Sequence, residues 1–198
     1  MTTTHTLATA EADIVYDVRG PLPTADGRPP LFMIAQPMDA GGFATLASYF
    51  PDRTVVTYDP RGLGRSVRKD GRVENTPTLQ AADVHAVIEA VGVGPVEMFA
   101  SSGGAVTALT LVTAHPDDLT TLVAHEPPII PVLPDAEAAE RARAGFRDIY
   151  EAKGTRCRHG CLRRHDVMAR RVHRRVLLPA LAGPRSVRDV GRGRRPPR

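Results

Sequence analysis

"MFASSGGAVTAL", residues 98–109, begins as an apolar strand and ends as an apolar helix, with two serines and two glycines at the junction. A chain that turns directly from a buried strand into a helix brings the two backbones almost into contact. The residues flanking the turn must then be small, and glycine is the residue that accepts both crowding and unusual dihedrals. Ala100 and Gly104 lie two positions on either side of Ser102. That register puts Ser102, and not Ser101, at the apex, where the bend pushes its hydroxyl out of the sheet. The helix that follows starts with unpaired N–H groups and the positive end of its dipole, both of which favour negative charge developing nearby. The N–H of Gly103 is the first such donor.

Outward from this turn, residues 1–154 alternate short apolar runs with stretches of helical spacing. "ADIVYDVRG", "PPLFMIA", "RTVVTYDP", "PVEMFA" and "LTTLVAHEPP" are predicted strands, several of them closed by proline. "GGFATLASYF" predicts a helix with Phe43, Leu46 and Phe50 on one side. "TLQAADVHAVIEAVGVG" predicts another, with Leu79, Val84, Val87, Ile88 and Val91 inward and Gly92 or Gly94 as its stop. "GAVTALTLVTAH" is an apolar helix, and "DAEAAERARAGFRDIYEAKG" a polar, alanine-rich one. Strands separated by helices imply βαβ units, so the expected fold is α/β: a mostly parallel central sheet flanked by helices. A site in such a sheet is expected beyond the carboxyl ends of the strands.

Ala100-Ser101-Ser102-Gly103-Gly104 is the small-x-Ser-x-Gly form of the G-x-S-x-G nucleophile elbow. Together with "MIAQPMDAGGF" (33–43), "YDPRGLGRS" (58–66) and "LVAHEPP" (122–128), it resembles the α/β-hydrolase superfamily in its serine-nucleophile branch. The four stretches stand where that family has its oxyanion loop, its D-x-R-G-x-G-x-S loop, its elbow and its sixth strand. The resemblance covers about residues 10–150. It implies a hydrolase acting on an ester or related acyl substrate, esterase-like, with Ser102 as nucleophile and Gly103 as one oxyanion donor. The second donor is expected from the loop after "LFMIA". Pro37 has no N–H, which leaves Met38, with Gln36 as the alternative. Asp59 and Arg61 are expected to brace their loop rather than to react. Serine in place of aspartate at the elbow argues against the dehalogenase and epoxide-hydrolase branches. No metal and no organic cofactor is implied.

A serine nucleophile needs a base and an acid, which in this superfamily follow it in the order Ser, Asp/Glu, His. His173 satisfies the order, with Asp166 or Glu126 as the acid. Asp166 and His173 are seven residues apart, about 10.5 Å along a helix axis, too far for a direct hydrogen bond there. His85 reads as a structural or surface residue, His115 as a helix C-terminal residue, and His125 as the end of a strand beside Glu126, with a plain loop role rather than a catalytic one.

Composition divides the chain. Residues 1–154 carry 12 Lys+Arg against 20 Asp+Glu, whereas residues 155–198 carry 14 Arg against 2 Asp. The expected organisation is a hydrolase core over 1–154 and an Arg-rich, solvated and disordered tail over 155–198. The tail begins where the family's last strands are expected, so the core is expected to be incomplete on its C-terminal side. An out-of-frame or otherwise aberrant terminus joined to a truncated core would produce that switch, and the reading frame downstream of Gly154 tests it. The tail has no interleaved aromatics for base stacking, so specific nucleic-acid binding is not expected. "CRHGCLRRH" holds Cys157, Cys161, His159 and His165, but its spacing matches no standard zinc finger. No run approaches the roughly 20 apolar residues of a membrane span, and the N-terminus lacks a signal-peptide pattern, which together predict a cytoplasmic protein. A sheet ending at its sixth strand leaves an open edge, which favours association. The competing expectation is an inactive remnant or a basic-tailed binding protein without turnover.

Overall fold

The computed structural model describes residues 1–153. The Arg-rich segment, with Asp166 and His173, lies outside the described residues. Among the described residues there are seven strands: β1 (Thr2–Ala8), β2 (Ala12–Arg19), β3 (Leu31–Gln36), β4 (Val55–Tyr58), β5 (Val67–Arg68), β6 (Val96–Ser102) and β7 (Leu119–His125). They form one sheet in the order β1-β2-β4-β3-β6-β7, with the two-residue β5 also pairing with β2. β4, β3, β6 and β7 run parallel. β1 and β5 pair antiparallel with β2, which itself pairs antiparallel with β4. The sheet is therefore mixed: a parallel heart of four strands with an antiparallel N-terminal side.

β3 is buried along five of its six residues and sits between β4 and β6. Its unbroken apolar run reflects cover on both faces. Phe32 and Ile34 face one core, together with Val56, Met98, Val84, Ile88, Ala108 and Leu111. Leu31, Met33 and Ala35 face the other, with Phe43, Ala47 and Val55. Three helices supply this cover: α1 (Ala44–Ser48), preceded by a 3₁₀ turn over Ala40–Phe43, on the second face, and α2 (Pro77–Val91) and α3 (Gly103–Ala114) on the first.

α2 shows why the sequence marks its ends. Thr76 caps it by accepting the Leu79 N–H at 3.2 Å, and Pro77 follows at the first helical position. Gly92 ends it in the left-handed region, donating its N–H to the Ile88 carbonyl at 3.3 Å. These are the proline-start and glycine-stop signals of an ordinary helix.

The strand order sets the place of the site. From β3 the chain first adds β4 on one side, then crosses by α2 to add β6 on the other. Order reverses at β3, and in open α/β sheets the cleft lies at the carboxyl ends of the strands at such a reversal. The carboxyl ends of β3 and β6 are Gln36 and Ser102, which are register partners. β7 is an edge strand among the described residues, and its Thr121, Val123 and His125 are exposed.

Met1–Leu133 form one compact unit, and a second begins at Pro134. The second contains α4 (Ala136–Lys153), an amphipathic helix with an Arg143–Glu140 ion pair one turn apart. No helix among the described residues is long and apolar enough to cross a membrane.

Candidate active site

Ser102 is the last residue of β6 and the residue before α3, with φ 54° and ψ −127°. Ser102 and Glu126 are the described non-glycine residues with positive φ. Such conformations cost on the order of 1–3 kcal/mol and persist only where the surroundings over-determine them. The surroundings here are steric. Ala100 is fully buried two residues before the bend. Two residues after it, a Cβ on Gly104 would lie 2.6 Å from the Ala35 Cα, and 2.9 Å from both the Ala35 nitrogen and the Ile34 oxygen. A Cβ on Gly103 would lie 2.8 Å from the Gln36 Cβ. The helix start thus rests directly on the β3 backbone. The Ser102 side chain is exposed and makes no capping hydrogen bond to α3. The first amide groups of a helix have no partner within it, so they are left at the mouth of the bend.

The loop after β3 begins beside the serine, since Gln36 is in register with Ser102. The Gln36–Pro37 peptide is cis, and Pro37 offers no N–H. Met38 and Asp39 follow, and the Asp39 side chain caps the 3₁₀ turn by accepting the Gly41 N–H at 3.0 Å.

This loop is braced from beneath by the segment 59–66. Asp59 is 2% exposed, and its carboxylate accepts the Ala40 N–H at 2.9 Å, the Arg65 N–H at 2.8 Å and the Arg65 Nε–H at 2.7 Å. Burial pushes the Asp59 carboxyl up, but the hydrogen bonds from Arg65 and from the two amides outweigh it and hold the group below its ordinary range. Gly64 has φ +57°, and a Cβ there would meet the Asp59 Oδ2 at 2.6 Å, so only glycine lets the chain wrap this carboxylate. Ser66 ties the same loop to the sheet: its hydroxyl donates to the Asp59 carbonyl at 2.6 Å and accepts the Val15 N–H at 2.8 Å. Arg61, buried, donates through Nε and Nη2 to the two oxygens of Asp83 on α2, at 2.7 and 2.6 Å. It also reaches Glu11 and Asp70. "DPRGLGRS" is thus the architecture its residue types indicate, joining β2, α2 and the loop after β3.

The sequence-derived site residues divide accordingly. Ser102, Gly103 and the Met38 loop meet at the carboxyl ends of β3 and β6. His173 and Asp166 lie outside the described residues. Glu126 immediately follows β7, with φ 49° and an exposed side chain. His125 ends β7 in register with Ser101, and its Nδ1 stands 3.1 Å from the Ser101 hydroxyl oxygen. Residue types alone do not expose this pairing, which needs the β6–β7 register. Among the described residues, no side chain hydrogen-bonds the Ser102 hydroxyl.

Comparison with known proteins agrees with this fold. The family serine aminopeptidase, S33, matches residues 38–149. The hydrolase YraK of Bacillus subtilis (strain 168), itself uncharacterized, is 32% identical over 129 residues, covering 65% of this chain and 46% of that protein. An epoxide hydrolase candidate from Pseudomonas aeruginosa, solved as its Q244E mutant, superposes with a TM-score of 0.59 at 22% identity, over 72% of this chain and 48% of that one. A proline iminopeptidase-related protein from Thermus thermophilus gives 0.54 at 25% identity, over 63% and 45%. The chain spans about half the length of the relatives it matches. The sheet flanked by helices is the α/β-hydrolase fold.

Proposed function

The chain belongs to the serine aminopeptidase S33 family of hydrolases, and on that premise we propose that it cleaves an ester or related acyl substrate through Ser102. The Ser102 oxygen attacks the acyl carbon and its proton passes to a histidine base. The carbonyl electrons move onto oxygen, and the N–H groups of Gly103 and Met38 hold that oxyanion. Collapse expels the leaving group with the returned proton, and water then releases the acyl group from Ser102 by the same steps. His173 follows Ser102 and both candidate acids, Glu126 and Asp166, in the order that suits the base. Glu126 suits the acid by order and by its place after β7, the strand beside the elbow.

The observation that carries this reading is the Ser102 backbone, held at φ 54° at a strand-to-helix bend with its side chain exposed. A serine in plain secondary structure has no reason to bear that strain. The test is labelling of the full chain with a fluorophosphonate probe. Labelling that disappears in Ser102→Ala and persists in Ser101→Ala supports the assignment. A folded protein that takes no label, or loses it in Ser101→Ala, refutes it.

A second reading is binding without turnover. It is favoured by the Ser101–His125 contact, because the histidine at the elbow engages the neighbouring serine. An oxyanion site without a base retains only residual catalysis, so this reading expects an unlabelled Ser102 in a protein that still binds acyl ligands.

A further inference from the structure

We propose that His85, His115 and Asp118 form a site for one divalent transition-metal ion of the zinc class, distinct from the elbow. The three residues come from separate elements. His85 lies in α2, between the buried Val84 and Val87. His115 is the residue that closes α3, donating its N–H to the Leu111 carbonyl at 2.7 Å. Asp118 ends the 3₁₀ turn Pro116–Asp118 and donates its N–H to the His115 carbonyl at 3.2 Å. Core packing of Val84 and Ile88 with Ala108 and Leu111 joins α2 to α3 and sets the two histidines side by side.

Their rings stack with centroids 3.7 Å apart and 13° from parallel. The His85 Nδ1 is 2.8 Å from the Asp118 Oδ2. One ligand atom from each of the three residues lies within 4.8 Å of the others, and all three side chains are half-buried. Zinc binds imidazole nitrogen and carboxylate oxygen at about 2.0–2.2 Å, so two ligands of one tetrahedral ion stand about 3.4 Å apart. Reaching that spacing needs the ligand atoms to close by at most about 1.4 Å, while the His85–Asp118 pair opens from 2.8 Å.

The donor set selects the ion. Two imidazoles and one carboxylate suit zinc and its neighbours, whereas calcium and magnesium prefer oxygen alone. If the metal takes Nδ1 of His85, its Nε2–H faces Glu89, whose Oε1 is 3.7 Å away one helical turn on. Metal-bound histidines commonly donate their other N–H to such a carboxylate. The site would clip the end of α3 to α2. It lies at the opposite end of the 12-residue α3 from Ser102, about 18 Å along the axis, and it is independent of the reaction proposed there.

The experiment is calorimetric titration of the EDTA-stripped full chain with Zn²⁺, with Co²⁺ absorption reporting the ligand field. Both are done on Cys157→Ser/Cys161→Ser protein, because free thiolates bind zinc strongly and would compete with the site. The expected result is one ion per chain, with affinity falling at least tenfold in His115→Ala and in Asp118→Asn. Far-UV circular dichroism checks that each variant folds. Should His115→Ala unfold, Asp118→Asn, in a surface turn, carries the comparison alone. Absence of Zn²⁺ binding, or binding unchanged in the folded variants, overturns the proposal.

Discussion

Gly104→Ala isolates the contact that makes the elbow. A Cβ at this position stands 2.6 Å from the Ala35 Cα, where ordinary contact begins at 3.4 Å. α3 must therefore retreat from β3 by about 0.8 Å. The atoms it meets belong to backbone in a strand buried along five of its six residues, and no rotamer change relieves them. Overpacking of this kind costs typically 1–3 kcal/mol, and a backbone clash belongs at the upper end. Alanine also gains about 1 kcal/mol of helix propensity over glycine. The net expectation is a loss of about 2 kcal/mol, or a fall in Tm of about 4–8 °C for a chain of this size. Calorimetric melting measures it. The control is Gly145→Ala in α4, where an added Cβ meets nothing within 4 Å and propensity alone should raise stability by about 0.5–1 kcal/mol. A Gly104→Ala protein that melts at or above the parent temperature refutes the steric account of the bend. Because the clash lifts the helix that carries the Gly103 N–H, the same variant should also label more slowly with a fluorophosphonate.

Two further outcomes follow from the loop beneath the site. Asp59 has a carboxyl held below its ordinary value in the folded chain, so its contribution is present above about pH 4 and is lost as pH falls through the depressed folded value. Asp59→Asn should remove it, lowering neutral-pH stability by about 2–4 kcal/mol, between an unsatisfied buried donor and a broken buried pair. The acid limb of a stability–pH curve from urea melts should flatten at the same time, and an unchanged limb would count against the account. Arg61→Met leaves the buried Asp83 carboxylate without its guanidinium partner, a loss of about 3–5 kcal/mol in urea titration. A cost below about 1 kcal/mol would show that water or another cation compensates.

The parallel heart of the sheet is legible in the sequence because burial on two faces leaves unbroken apolar runs such as Leu31–Ala35. The N-terminal strand is not. Thr2–Ala8 lies at the sheet's edge, with only Leu7 partly buried. It has no apolar alternation to read, and its pairing with β2 follows from the turn, where the Thr9 hydroxyl bonds both to and from the Ala12 backbone. Of the site, the elbow is legible because sterics restrict residue type at fixed spacing. The contacts His125–Ser101 and His85–His115–Asp118 are not. Each depends on the register or packing of elements distant in sequence, and a histidine carries no local mark of which neighbour the fold will bring to it.

The strain at Ser102 has no local source of support. Its side chain makes no cap bond, and its dihedrals are ones that serine on its own avoids. What holds it must be the two rigid bodies it joins. β6 is fixed by parallel pairing to β3 and β7 on either side. α3 is fixed by Gly104 on Ala35 and by the fully buried Ala105, Ala108 and Leu111. With both ends fixed and no residue to spare between them, the single connecting residue takes the conformation that closes the gap. The exposed hydroxyl is then a consequence of core packing some distance beneath it. On the nucleophile role proposed for Ser102, substitutions in that core should therefore alter its fluorophosphonate labelling in proportion to how far they let α3 move.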